Sequence, residues 1–571
     1  MKQWVMAQDP PKKFYAQFPD IPEVVARLLY HRDITTQDAI DEFLHPDYGS
    51  DIHDPFLFRD MQKAVDRVFL AIAKKEKIVV HGDYDADGVC AATILVETIT
   101  VLGGVTDIFI PHRETEGYGV NMNTVELLAH DKTNLVITCD CGISNTAEIA
   151  RAKELGMDVI VTDHHSIPKE LPPAYAIIHP KIAGEPYPWK ELCGGGVAFK
   201  LAQGLLRASG EKQVAGEDIE TFQKWLLDCV AISSVADMVS LLGETRTLTR
   251  YGLTVLQKTR RPGLQALFRI AGFRTPFDAG TIGFGIAPRL NAAGRMQHAN
   301  TAYQLLITKK KEEAERLAEE LNAANKERQN LTESLAGQAR EQVGEAPKTM
   351  SLVVSGENWP LSLAGLIASK LSKEYARPAF ALVKKETQWS GSARSPDAVD
   401  IMVALDPLRE EIFEKFGGHP QACGFTLKEG IDPKQFHAAI EKRIRPMVKK
   451  GDLAEKISID APLPLSQLHW ELYDILQQFE PFGMDNPRPV YAAHGCKVLR
   501  RNEVGNDGKH LQLFLEEEGS GVQKKAIGFS LSKELEHIAV GDRVDIAYEV
   551  DVNTWNGNRE LVVKLVDVRK I

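Results

Sequence analysis

Cysteine is sparse and odd in number, seven in 571 residues at positions 90, 139, 141, 193, 229, 423 and 496. An odd set, several of whose members lie inside apolar strand or helix patterns, excludes a disulfide scaffold and reads as reduced thiols packed like small hydrophobes. Cys139 and Cys141 have no second CxC or CxxC partner to complete a tetrahedral site, which argues against structural zinc. Long apolar runs are missing as well. Nowhere do eighteen uncharged apolar residues follow one another, and the opening MKQWVMAQDPPKKFYAQFPD holds no apolar core of signal-peptide length. No membrane partner and a cytoplasmic location are therefore expected. Positive charge is in deficit, 68 Lys and Arg against 79 Asp and Glu, for a net charge of −11. That balance excludes a duplex binder coated in basic residues, whose affinity would rest on phosphate contacts. It leaves open an enzyme of nucleic acids, in which a metal site consumes carboxylates and a local basic groove serves the strand. Internal repeats and low-complexity tracts are absent too.

Acidic residues, by contrast, are concentrated at three apolar run ends. The octet HGDYDADG, His81 to Gly88, follows Ile78-Val79-Val80, which reads as a buried parallel strand with the acids at its C-terminal edge. A loop this short keeps Asp83, Asp85 and Asp87 within several ångströms of one another. At ~5 Å and an effective dielectric of ~20, each like-charge pair repels by roughly 3 kcal/mol. Such a site either protonates or recruits a cation, and the neighbouring His81 favours the cation. A second run, Leu135 to Thr138, delivers Asp140 within CDCG, and a third, Val159 to Thr162, delivers Asp163-His164-His165. In an open parallel α/β sheet the strand C-termini line one crevice, so these segments converge. Asp237, in the helix-like stretch CVAISSVADMV, is a further candidate.

At 571 residues the chain exceeds the ~250 to 300 that one core serves. Five segments are expected: a helical segment over 1–55 packed on the main domain, a parallel α/β domain over 56–300, a connector over 301–345, a second α/β domain over 346–455 and a barrel of short strands over 456–571. Residues 302–343 hold one Gly, at 337, and no Pro, and are rich in Glu, Lys, Ala and Leu; they predict one unbroken helix. Its KKK at 309–311 reads as a solvated face in preference to a DNA contact.

DxDxDG, an isolated Asp, Asp-His-His and then VAD resemble the DHH phosphoesterase superfamily. APRLNAAGRM (287–296), SGSARS (390–395) and GGHPQACGF (417–425) resemble motifs of its bacterial single-strand-specific exonucleases, so that the likeness covers nearly the whole chain. It implies a fold in the α/β class: a parallel-sheet DHH domain joined by a long helix to a second α/β, DHH-associated domain, with a C-terminal OB-fold β-barrel. It implies a two-metal site for Mn2+ or Mg2+, with His81 and Asp85 on one ion, Asp87, His164 and Asp237 on the other, and Asp140 bridging. His165 would stabilise the transition state and Asp163 orient the pair, while Asp83 binds metal, the loop or a water.

The same likeness assigns the DNA 5′ end to Arg113, Tyr118 and the SGSARS segment, expected as a glycine-loosened turn offering Ser390, Ser392, Arg394 and Ser395. Gly417, Gly418 and His419 would meet a substrate phosphate, and Arg289 and Arg295 the strand between domains. The residues alone leave Arg394 free to pair with Asp397, and Tyr118 free to be an edge-of-core aromatic. The implied activity is 5′ to 3′ degradation of single-stranded DNA in recombination and repair, by a monomer, with single-strand binding protein and a RecQ-type helicase as partners. The rivals are a DHH phosphodiesterase of short oligoribonucleotides or cyclic dinucleotides, and a binding protein with a dead metal site.

Overall fold

The computed structural model describes residues 2–345, 347–448, 455–555 and 558–571. The expected boundaries at 345/346 and 455/456 fall on or beside residues outside that set. The chain forms two compact units, one from 53–239 and 251–454, the other from 1–52, 240–250 and 455–571.

In the first unit the apolar runs do form a parallel sheet, in the order Val105–Phe109, Lys77–His81, Leu135–Cys139, Asp158–Thr162, Ala176–Ile178. Leu135–Cys139 is buried along its whole length, as a strand covered on both faces must be. The strand order reverses at Lys77–His81, which places His81 to Asp87 where a doubly wound sheet opens its crevice. The next helix, Ala86–Val101, begins inside the acidic octet, where Asp85 caps it by accepting from the Asp87 and Gly88 N–H groups at 2.9 and 3.1 Å. Its sides are buried almost all round, against the helices Gly194–Ala208 and Leu227–Ala236. Gly88 is obligatory here: a Cβ would stand 2.5 Å from Asp83 N.

The connector is not one helix. A short helix, Asn300–Ile307, is followed by an extended Thr308 and then by Lys311–Val343. Thr308 Oγ1 donates to Glu313 at 2.6 Å and accepts from Lys310 N at 3.3 Å, a local bonding pattern that competes with helix continuation. Of the lysine triplet, Lys309 is paired with Glu97 at 3.0 Å.

The second sheet of this unit has the order Phe413–His419, Ala422–Leu427, Gln388–Arg394, Ala379–Lys385, Leu352–Gly356. Most of SGSARS is therefore its central strand and not a loosened turn. Small polar residues read as a turn, but here Gly391 makes room for the Phe425 ring, whose Cζ would lie 2.9 Å from an added Cβ.

In the second unit, Tyr491–Val504, His510–Glu517, Gln523–Gly528, Asn558–Lys570 and Arg543–Trp555 pair in sequence, and the first closes on the last through Tyr491 and Tyr548. This is the expected OB-type barrel. The helical segment at the start of the chain packs here and not on the parallel α/β domain. Phe14, Phe18, Leu28, Ile40 and Phe43 share one core with Leu463, Tyr491, Leu513 and Tyr548, and Gln3–Met6 pairs in parallel with Lys456–Ile459. Fully buried Arg246 joins the parts, donating to Phe43 O, Phe479 O and Gln478 O at 3.0, 2.9 and 2.6 Å.

Candidate metal centre and substrate site

Three groups of ligand atoms, each within 4.8 Å, meet at the strand ends: Asp83, Asp85 and Asp140; Asp87, His164 and Asp237; and Asp140, His164 and His165. Nε2 of His164 lies 3.1 Å from Asp140, 3.5 Å from Asp237 and 3.8 Å from Asp87. Asp140 and His164 therefore tie the groups together. Asp140 adopts φ 62°, a left-handed conformation costly for a residue with a side chain. It also demands a bare neighbour, since a Cβ on Gly194 would come 2.5 Å from the Asp140 Cβ.

Burial dominates the electrostatics and the crowded acids add to it. Burial first, then Asp85, pushes the Asp83 carboxyl well above the usual range, and burial with Asp87, Asp85, Asp237 and Asp83 does the same to Asp140. Asp87 rises to about 6, held back by donation from Ser233, Gly195 and Gly194, and Asp237 rises to about 9. Burial and the nearby His165 lower His164 to about 3, so its imidazole is neutral and able to act as a ligand. Asp83 Oδ1 is buried without a hydrogen-bond partner among the described residues. Neutral imidazole, several forced-up carboxylates and an orphaned oxygen are a donor set that fits divalent cations.

Asp163 stands apart. It accepts from Ile143 N, His164 N, His165 N and His165 Nδ1 at 3.0, 2.7, 3.2 and 2.8 Å. Burial alone would raise its pKa, but the His165 bond and the charges of His165 and His164 hold it well below the usual range. The same bond keeps His165 above the ordinary histidine value against the effect of burial. The Tyr118 hydroxyl donates to Asp140 O at 3.0 Å and lies 2.9 Å from His165 Nδ1, with the rings edge to face at 5.4 Å.

His81 is set back from the three cation groups, with its Nε2 buried and without a hydrogen-bond partner among the described residues. It is fully buried, stacked on Phe109, and 3.7 Å from Cys141 Sγ through Nδ1, and among the described residues it joins none of the cation groups. Asp83 is the residue grouped with Asp85.

The substrate candidates divide in the same way. Sheet register aligns Arg394 with Ala422 and Ala422 with His419, and it aligns Ser392 with Gly424 and Gly424 with Gly417. Ser392, Arg394 and His419 thus share one face across which the glycines leave bare backbone. Gly418 lies at the hairpin end, where a Cβ would stand 2.3 Å from Ala422 O. Ser390 is bonded to Thr426 at 3.0 Å, and Ser395 spends its hydroxyl on Val399 O at 2.6 Å.

Among the described residues no ion pair joins Arg394 to Asp397. Nη1 of Arg394 donates to Ala393 O at 2.8 Å, and burial together with nearby Arg113 lowers its pKa. Arg113 itself lies over the Tyr84 ring at 4.6 Å. Arg295 donates to Ser362 O at 2.7 Å and is lowered to about 9 by burial, then by Arg113 and Arg328. Arg289 reaches Gly285 O at 2.8 Å and Asn322 at 3.0 Å, with its guanidinium over Phe273. Arg113 is thus near enough to both Arg394 and Arg295, and Arg328 to Arg295, for their positive charges to repel.

Three family models match this chain: the DHH family N-terminal domain at residues 77–233, the DHHA1 domain at 349–446 and the RecJ OB domain at 459–567. The single-stranded-DNA-specific exonuclease RecJ of Bacillus subtilis is 35% identical over 98% of this chain and 69% of its own length. That of Salmonella typhimurium is 32% identical over 89% of this chain and 90% of its own. The chain belongs to the RecJ family. Among solved structures, RecJ of Thermus thermophilus in complex with Mn2+ matches with a TM-score of 0.83 at 27% identity, covering all of this chain and 80% of that one.

For this RecJ-family chain, sequence reasoning missed His179 and Arg328. His179 is fully buried, and its Nε2 meets His165 O at 2.9 Å while Nδ1 accepts from Lys181 N at 3.1 Å, so it braces the Asp-His-His turn. Its one signal was position, at the end of the last parallel strand. Arg328 lies on the long helix, next to Arg295, with Nε buried and unpartnered among the described residues. A helix rich in both charge signs conceals such a residue. The NAAG segment also braces the acidic loop. Asn291 Oδ1 accepts from Ala86 N at 2.7 Å, and Gly294 sits against Tyr84 O, 2.5 Å from where a Cβ would be.

Proposed function

We propose that this chain degrades single-stranded DNA from the 5′ end in the 5′ to 3′ direction by metal-dependent phosphodiester hydrolysis, in DNA recombination and repair. The observation that carries the reading is Asp140: it belongs to one cation group with Asp83 and Asp85 and to another with His164 and His165, as one carboxylate shared by two divalent ions would. Asp83, Asp85 and Asp140 would hold one ion and Asp87, His164, Asp237 and Asp140 the other. Oxygen-rich sets of this kind suit Mn2+ or Mg2+. When bound, the ions supply charge neutralisation and water activation for an in-line displacement.

The chain's own residues do the rest. Asp163 fixes the Nδ1–H tautomer of His165 and favours its cation, which places a proton donor beside the phosphate where negative charge develops. His81, fully buried with its Nε2 free of any hydrogen-bond partner among the described residues, would complete the set on the ion held by Asp85. Ser392, Arg394 and His419 receive the terminal phosphate, the fork of Arg394 matching its oxygens, while Arg113 leads that end toward the ions. Tyr118 offers its exposed ring to the first base, and Gly418 keeps its own hairpin tight against Ala422 O. Arg289 and Arg295 contact the following phosphates. Ser395, whose hydroxyl is satisfied by backbone, shapes the strand end without touching substrate.

The protein acts as a monomer in the cytoplasm on strands that a RecQ-type helicase exposes and single-strand binding protein covers. Support for the unpaired substrate is that the relatives from Bacillus subtilis and Salmonella typhimurium are named single-stranded-DNA-specific exonucleases. Among the described residues no helix is long and apolar enough to cross a membrane. The test is digestion of single-stranded DNA and RNA labelled at either end, with Mn2+ and with Mg2+. Immediate release of the 5′ label as a mononucleotide, with gradual shortening of the 3′-labelled strand, is expected. Attack from the 3′ end, internal cuts, or turnover confined to dinucleotides would overturn the reading.

A further inference from the structure

Phe284 is 89% exposed, the most exposed large hydrophobic side chain among the described residues. It sits in the π-helical turn Thr281–Ile286, whose Ile282 and Ile286 are fully buried. Turns of this kind are rare and concentrate at functional sites. The turn is held from both sides. Asp278 Oδ1 accepts from Thr281 N at 2.7 Å, and the Phe273 ring occupies the space of a Cβ on Gly285, 2.5 Å away. Flanked by Gly283 and Gly285, Phe284 projects with no neighbouring side chain in sequence to cover it.

Its place in the unit is informative. Gly283 packs on Val235, 3.7 Å from an added Cβ, in the helix Leu227–Ala236. That helix ends in Asp237, a member of the cation cluster, and Met238 after it is 65% exposed. In the other direction the turn runs directly into the helix Ala287–Met296, which carries Arg289 and Arg295. The turn that carries the ring thus packs on the helix that ends in the cluster and leads into the helix that carries the two arginines. A chain that leaves an aromatic ring in water there gains nothing for its fold.

We propose that Phe284 is a stacking platform for a nucleobase of the bound single strand. This deepens the functional reading above and rests on it. An unpaired base offers an open π-face that a base inside a duplex does not, so a platform beside the metal site selects for single strands without reading their sequence. Arg289, held over Phe273 at 5.2 Å, would engage the adjoining phosphate.

The full-length protein and its Phe284→Ala, Phe284→Leu and Phe284→Trp variants are compared by fluorescence anisotropy and by cleavage. The probes are an oligothymidylate and a strand of equal length built from abasic tetrahydrofuran residues. Phe284→Ala should weaken binding of oligothymidylate roughly five- to a hundredfold, the range that stacking of one base supports, with the loss in KM and not in kcat. Trp should retain binding and Leu fall between. On the abasic strand the variants and the wild type should be alike, and thermal unfolding should be unchanged. Wild-type binding of oligothymidylate by Phe284→Ala, or an equal loss on both strands, would overturn the proposal. Binding is read apart from cleavage, so a wild-type protein that binds but does not cut overturns the functional reading while the ring is still judged on the two strands.

Discussion

The Tyr118 hydroxyl stands 2.9 Å from His165 Nδ1 and 3.0 Å from the main-chain oxygen of Asp140. One side chain therefore touches both the histidine that Asp163 orients and the residue that links the cation groups. Tyr118→Phe keeps the ring for stacking and removes the hydroxyl. It should lower kcat several-fold with KM for single strands unchanged, whereas Tyr118→Ala should also raise KM. Equal kcat for the Tyr118→Phe variant and the wild type, from steady-state kinetics on one oligonucleotide, would leave the ring alone as the functional part.

Asp140→Ala should reduce cleavage to background while the protein stays folded, because both cation groups lose their common carboxylate. In metal-free buffer its melting temperature should be at or above that of wild type, since burial and repulsion disfavour this carboxylate. Activity within tenfold of wild type would remove Asp140 from its shared role.

The acids that burial pushes up also set a pH dependence. Asp237 moves to about 9 and Asp87 to about 6 in the folded protein, against ~3.9 for an unfolded aspartate. Folding thus binds protons, and the associated stability is complete below about pH 4 and falls as pH rises toward 9. In chelator, the melting temperature should decline between pH 5 and 9. Asp237→Asn should flatten that decline, and Mn2+ should oppose it by supplying the missing positive charge. A flat profile in chelator would contradict the cluster's electrostatics.

Arg394→Ala should damage recognition of a 5′-phosphorylated end selectively. A charge-assisted contact of about 1.5 to 3 kcal/mol corresponds to roughly ten- to a hundredfold in the preference for 5′-phosphate over 5′-hydroxyl strands. Lysine should rescue in part, because it lacks the fork. If both substrates slow equally, the guanidinium serves the sheet or the strand backbone instead.

Phe43 meets Phe479 edge to face at 5.1 Å inside the core shared with the barrel. Phe43→Ala should therefore cost about 3 to 4 kcal/mol, read as a lower urea midpoint for the barrel unit. An unchanged midpoint would mean that the first fifty-odd residues do not support the barrel.

The sequence by itself determined the parallel sheet and the convergence of its acids. Runs such as Leu135–Cys139 are apolar on both faces, a pattern that a strand covered from both sides requires, and the acids follow where such strands end. It determined the barrel strands for a similar reason, since alternation of period two is local. Tertiary structure decided what depends on distant partners. SGSAR became a central strand by pairing with Ala379–Lys385 on one side and Ala422–Leu427 on the other, with Gly391 close against Ala381 O and the Phe425 ring, and a serine-rich pentapeptide carries no record of those partners. The opening helices joined the barrel, where Phe14, Phe18, Leu28, Ile40 and Phe43 share one core with Tyr491 and Tyr548, a choice amphipathicity alone leaves open. Asp83 came beside Asp85 and Asp140 through contacts between loops far apart in sequence, which the spacing of the acids alone does not set.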